Sequence, residues 1–235
     1  ESIKKVDKIY GPGNSYVAQA KLQVSSNVAI DMVAGPSELM IIADKSANPS
    51  FLAADILSQA EHGPDSQLFL LTTERQFGFD VNKELERQIK TLTREEIANA
   101  ALENSSVIIM NSEDEMAAFA NQYGAEHLMI STEEPWRVAK RITNAGSIFL
   151  GNYSPESAGD YASGTNHSLP TNGWTRSFGG ISVDSFMHKI SFQQITKEGL
   201  QLLGGTIEVM AEAEGLLAHR NAVSIRLKEI ENGTE

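Results

Sequence analysis

The chain has 235 residues and a mass of 25.6 kDa, enough to bury a full-sized core, and its 41% hydrophobic and 21% charged content is ordinary globular usage. A net charge of −12 excludes a phosphate-backbone partner, so no nucleic acid is expected, although a small acidic metabolite could still occupy a local pocket. The absence of cysteine removes disulfides, thiolate metal sites and thiol nucleophiles, and without an apolar run of spanning length or a charged-then-apolar leader the chain is expected to be cytoplasmic, with no membrane partner.

The chain opens Glu1-Ser2-Ile3-Lys4-Lys5-Val6-Asp7, without methionine and a few residues before a glycine-rich turn, an abrupt start that predicts a piece of a longer protein. Gly11-Pro12-Gly13-Asn14 precedes a predicted helix over 15–24 and a strand over 28–32. The turn resembles the start of a dinucleotide-binding fingerprint, but Tyr16 stands where the third glycine belongs.

From residue 38 onward, short apolar runs alternate with helical patterns. Strands are predicted over 39–43, 67–72, 107–110, 128–131 and 147–150, each nearly continuous in apolar residues, as for strands covered on both faces. Helices are predicted over 50–60, 73–92, 94–102, 112–122 and 134–144, with Pro135 in a first turn, where proline is tolerated. This alternation predicts an α/β fold, a doubly wound and mainly parallel Rossmann-like sheet. Residues 151–180 form a Gly, Ser, Asn and Pro-rich stretch too long for a plain connector. A tail over 195–231 reads as helical, broken at Gly204-Gly205 and at Gly215.

With only five histidines available, any metal site or proton relay rests on few nitrogens. The triplet Ala-Glu-His occurs at Ala60-Glu61-His62 and again at Ala125-Glu126-His127. Gln59 and His62 are three apart at a helix end stopped by Gly63-Pro64, so both lie on one face. They could share a divalent cation or form a polar helix end with a capping histidine. Glu126 and His127 stand at a strand's start, whereas ligands of open parallel sheets gather at carboxyl ends. They read either as a general base beside a water-activating carboxylate or as a solvated turn. Asp160 and His167 lie in the long polar stretch, among small residues that allow close approach to a ligand. Glu214 and His219 flank Gly215 and, taken alone, look like an exposed helix junction.

Taken in order, several segments are more specific than any one of them. These are Gly11-Pro12-Gly13-Asn14, Asp31-Met32-Val33-Ala34-Gly35-Pro36-Ser37-Glu38, and Leu57-Ser58-Gln59-Ala60-Glu61-His62-Gly63-Pro64-Asp65-Ser66-Gln67. Asn121-Gln122-Tyr123-Gly124-Ala125-Glu126-His127-Leu128 and Ser154-Pro155-Glu156-Ser157-Ala158-Gly159-Asp160-Tyr161-Ala162-Ser163-Gly164-Thr165-Asn166-His167 follow. Together they resemble histidinol dehydrogenase, over essentially all of this chain but only about the C-terminal half of the family's length.

The resemblance implies NAD-dependent oxidation of L-histidinol through L-histidinaldehyde to L-histidine, the last two steps of histidine biosynthesis. It implies one Zn²⁺ per subunit, held by Gln59, His62, Asp160 and His219, with His219 supplied across an intertwined homodimer. Glu126 and His127 fall on the family's acid–base pair. Ser37, His167 and Glu214 match substrate contacts, beside the metal ligands and His127, while Asn14 matches a residue on the NAD side. Residues 1–37 would be the remnant of a second nucleotide-fold-like domain, 38–181 the C-terminal portion of the main α/β domain, and 182–235 a helical dimerisation tail. The chain alone is expected to be inactive, since other NAD contacts belong to the missing half. Two alternatives stand beside this reading: a superfamily paralogue oxidising another polyol such as sulfopropanediol, and a non-catalytic fragment that only binds metal or dimerises.

Overall fold

The structure is a computed structural model that describes residues 4–232; the opening Glu1-Ser2-Ile3 lies outside the described residues. The chain divides into two compact units, Glu1–Met187 and His188–Glu235.

The first unit begins with β1 (Lys8–Ile9) and β2 (Ala29–Ile30), a short parallel pair joined through helix α1 (Ser15–Val24). Its centre is a five-stranded parallel sheet made of β3 (Glu38–Ala43), β4 (Gln67–Thr72), β5 (Ser106–Ile109), β6 (His127–Ser131) and β7 (Ser147–Leu150). The order β5-β4-β3-β6-β7 winds outward from β3 in one direction and then, from β6, in the other. This is the doubly wound α/β arrangement that the alternating pattern predicts.

Parallel strands need crossovers, supplied by α2 (Pro49–Ala60), α3 (Arg75–Gln88), α4 (Glu95–Glu103), α5 (Glu113–Tyr123) and α6 (Pro135–Ala139). Successive strand residues feed opposite faces. Leu39, Ile41, Leu68 and Leu70 pack with Leu52, Ile56, Val81 and Ala98 on one side. Met40, Ile42, Leu128 and Ile130 pack with Met116, Ala120 and Val138 on the other. Each fully buried large aliphatic side chain contributes about 1.5–3 kcal/mol, so the central strands must be apolar throughout.

Three predicted elements differ from what is observed. The strand predicted over 28–32 pairs only at Ala29–Ile30. The helix predicted over 134–144 ends at Ala139, because Asn121 captures the following chain: its Oδ1 accepts the Thr143 N–H at 2.7 Å and its Nδ2 donates to the Arg141 carbonyl at 2.8 Å. The long polar stretch after β7 contains α7 (Glu156–Tyr161).

The second unit is a helical pair, α8 (Lys197–Ala213) and α9 (Leu217–Asn232). Gly204-Gly205 does not break it, since α8 runs through both residues. A Cβ on Gly204 would lie 2.7 Å from Leu227 Cδ1, so this glycine serves close packing of α9 against α8. The break falls at Gly215, whose φ of +72° suits glycine, with the Gly215 N–H donating to Glu212 O and the Leu216 N–H to Ala211 O. Among the described residues, no helix is long and apolar enough to cross a membrane.

Candidate active site

α2 is launched by Asn48, whose side chain accepts the Ser50 N–H, with Pro49 in the first turn. Running back antiparallel to β3, it delivers Gln59 and His62 to the amino edge of the sheet. α5 likewise ends at Gly124, in left-handed conformation, so the chain turns directly into Ala125, Glu126 and His127. His127 is the first residue of β6 and lies in register with Leu39 of β3. The pair therefore does stand at a strand's start, and the site gathers at the amino ends of β3 and β6 rather than at carboxyl ends.

A cavity of about 320 Å³ unites these groups. Ser37, Gln59, His62, Glu126, His127, Asp160 and His167 all line it, so seven residues singled out in the sequence converge. Asn14 does not line it; its Oδ1 accepts the Tyr16 and Val17 N–H groups and caps α1. Glu214 caps the end of α8 and His219 lies in α9, both in the second unit.

One side chain lining the cavity lacks the partner that burial demands. Gln59 is 1% exposed, and its Oε1 has no hydrogen-bond partner. Nearby, His62 Nε2 and Asp160 Oδ2 stand 4.0 Å apart, too far for a hydrogen bond but a separation that a shared cation would span. An amide oxygen, an imidazole and a carboxylate suit Zn²⁺ or a similar divalent ion. These residues fit such an ion. A second grouping adjoins it: ligand atoms of His127, Glu156 and Asp160 lie within 4.8 Å of one another.

His127 is buried, and burial pulls its imidazole down to about 4, so the ring is neutral at pH 7. Its Nδ1 is 3.3 Å from the Glu38 carbonyl, and donation there leaves Nε2 with a free lone pair. That Nε2 is 3.6 Å from Glu156 Oε1, itself buried without a hydrogen-bond partner. Burial, with the nearby charges of Glu38, Glu156 and Asp160, pushes Glu126 up to about 8. Burial and the Asp160 charge likewise push Glu156 up to about 7. The pocket is thus rich in carboxyl groups that hold protons near neutrality for want of positive charge.

Glu38 and Glu156 are the members that sequence reasoning missed. Glu156 opens α7 one turn before Asp160, and that i, i+4 spacing was the available signal. Behind it, the buried Asp55 carboxyl of α2 faces the main chain of Glu156 at the start of α7, and burial pushes it up to about 6.

The family model described as histidinol dehydrogenase matches residues 1–227. This chain belongs to the histidinol dehydrogenase family. A histidinol dehydrogenase of Bacteroides fragilis (strain YCH46) is 56% identical over 231 residues, covering 98% of this chain and 54% of the relative. That of Aliivibrio fischeri is 52% identical over 98% of this chain and 53% of its own length. The crystal structure of histidinol dehydrogenase from Elizabethkingia anophelis superposes with a TM-score of 0.93 at 55% identity, over 98% of this chain and 54% of that one. The chain thus spans about half the length of the histidinol dehydrogenases it matches.

Proposed function

We propose that this chain is the C-terminal half of a zinc- and NAD-dependent enzyme that oxidises L-histidinol through L-histidinaldehyde to L-histidine. The observation that carries the reading is one cavity holding both a partnerless buried amide oxygen beside an imidazole–carboxylate pair and a neutral buried imidazole with a free lone pair.

Gln59, His62 and Asp160 would hold the zinc, with His219 of a second copy of the chain as the fourth ligand. When bound, the ion supplies positive charge that orients an amine- and imidazole-bearing substrate. Ser37, His167 and Glu214 would complete the substrate site. Asn14 would stand on the NAD side, the remaining dinucleotide contacts coming from sequence that the relatives carry beyond the matched half.

His127 Nε2 takes the proton of the substrate hydroxyl, and the nicotinamide, when bound, would accept the hydride leaving the same carbon as the aldehyde forms. Glu126, which burial holds protonated near neutrality, would ionise with a divalent cation nearby. Its carboxylate then accepts a proton from the water that adds to the aldehyde carbon, while His127 returns its proton to the carbonyl oxygen, which gives the hydrate and leaves the imidazole neutral again. His127 takes a hydroxyl proton of the hydrate, and a second oxidised nicotinamide would accept the second hydride as the acid forms. Water does the work that a cysteine adduct would do, since this chain's own residues offer no thiol for it.

The test is metal content together with NADH formation from L-histidinol, with and without a chelator, in this chain alone and in the protein completed to the length of its relatives. Zinc-dependent turnover is expected of the completed protein only. In it, His127→Ala should lose on the order of 10²–10⁴-fold in kcat. Chelator-insensitive turnover, or full activity in His127→Ala, would refute the mechanism, and turnover of sulfopropanediol in place of histidinol would refute the substrate.

A further inference from the structure

Glu38 is the first residue of β3 and is only 3% exposed, an unusual place for a carboxyl group. It does not line the cavity; it sits behind Glu126 and His127. Four of its polar groups are engaged, and all bear on the site. Its main-chain N–H donates to Glu126 Oε2 at 3.0 Å, while its own Oε2 accepts the Glu126 N–H at 3.3 Å, so the two glutamates bracket each other across β3 and β6. Its carbonyl faces His127 Nδ1 at 3.3 Å. Its Oε1 accepts the Asn172 N–H at 2.8 Å.

The last bond extends the bracket to a third segment. Asn172 has φ +53°, a left-handed conformation that needs holding in a residue other than glycine. Beside it, Thr171 Oγ1 accepts the Gly35 N–H, and both Leu169 and Thr171 are buried. The segment that lines the cavity from His167 to Leu169 is therefore pinned to the start of β3 through Glu38 and its neighbours.

We propose that Glu38 is the positioning residue of this site: its carboxylate holds the Glu126 and Asn172 N–H groups and so keeps its own main-chain N–H and carbonyl where they orient the Glu126 carboxyl and fix the His127 tautomer that presents Nε2 to the substrate, and it ties the segment carrying His167 to both. The reason a carboxylate is needed follows from the geometry. Two N–H groups from different segments converge on one side chain, and among residues of this size only a carboxylate offers two acceptor oxygens and no donor. A glutamine there keeps one acceptor and turns an N–H against the other donor. A methionine keeps the volume and leaves both N–H groups unpaired.

The catalytic consequence rests on the reading of His127 as the base, so the experiment has two arms. In the first, ¹⁵N shifts of His127 are recorded in this chain at pH 8, comparing the parent with Glu38→Gln and Glu38→Met. A single tautomer protonated at Nδ1 is expected in the parent, and mixed tautomers in the variants, more so in Glu38→Met. In the second, kinetics are measured in the protein completed to the length of its relatives. There kcat should fall about tenfold in Glu38→Gln and about a hundredfold in Glu38→Met, within the range that one general acid–base contact supplies. Zinc affinity should stay at the parent's value, because no proposed ligand touches Glu38.

If the parent does not oxidise histidinol, the functional reading fails while the tautomer arm still decides on Glu38. An unchanged tautomer in Glu38→Gln, or equal loss of zinc affinity and kcat, would overturn the proposal. Should Glu38→Met not fold, the glutamine variant carries both arms alone.

Discussion

Gln59 sits uncomfortably in the metal-free chain. Its Oε1 is buried without a partner, a defect that costs about 1–3 kcal/mol. Replacing it with an apolar residue of similar length removes the defect and, if the amide binds zinc, a ligand as well. Gln59→Met is therefore expected to raise the unfolding midpoint of the zinc-free chain by about 2–4 °C per kcal/mol recovered. The same change should weaken zinc binding by at least about tenfold. Calorimetry in chelator and a competitive zinc titration read the two effects separately. A variant that loses stability and keeps zinc affinity would make Gln59 a core residue and nothing more. Gln59 and His62 could be found in the sequence because a helical spacing ending in Gly63-Pro64 declares one shared face. Glu126 and His127 could be found as a pair, but their place at a strand's start argued against a site until β3 and α2 were seen to meet them there. Glu156 offered only its i, i+4 spacing to Asp160, and Glu38 was not legible, because its role comes from contacts far along the chain. Glu38 and Glu126 are 88 residues apart, and no local pattern announces their bracket.

At the scale of elements, the strands were readable for a physical reason: a parallel strand covered by helices on both faces must be apolar at nearly every position. The helices were readable where one face is apolar, and misread where a distant polar side chain intervened, as Asn121 does after α6. The tail shows the same limit. Two adjacent glycines read as a break by propensity, yet α8 continues because the helix packing against it needs the space. The two glycines therefore respond differently to alanine. A Cβ on Gly205 meets nothing within 4 Å, so Gly205→Ala should stabilise by roughly 0.5–1 kcal/mol through helix propensity alone. A Cβ on Gly204 comes within 2.7–3.1 Å of three Leu227 carbons, so Gly204→Ala should destabilise despite the same gain in propensity. Urea unfolding of the two variants measures the difference. Equal stabilisation by both would show that α9 does not press on α8 at this point.

At the scale of the whole molecule, the buried carboxyls make stability depend on pH in a direction opposite to ordinary acid denaturation. Burial holds Glu126 up to about 8 and Glu156 up to about 7, whereas in the unfolded chain both titrate near 4.5. The native state therefore binds more protons across this interval, and the stability these groups contribute is lost as pH rises through their native values. His127 works the other way: its native value, near 4, lies below the unfolded 6.5, so its stability contribution is lost as pH falls from 6.5. Between pH 6.5 and 8 the histidine is nearly silent and the carboxyls dominate. The zinc-free chain is expected to lose on the order of 2 kcal/mol over that range. Glu126→Gln should remove more than half of the slope. Zinc should reverse it, because a cation favours the ionised carboxylates and its binding releases protons, so affinity rises with pH. Urea unfolding at pH 6.5 and pH 8, in chelator and in excess zinc, tests both signs. A zinc-free chain that gains stability over this range would mean that the carboxyls are already ionised at pH 6.5, and that the cavity draws its positive charge from somewhere other than a bound cation.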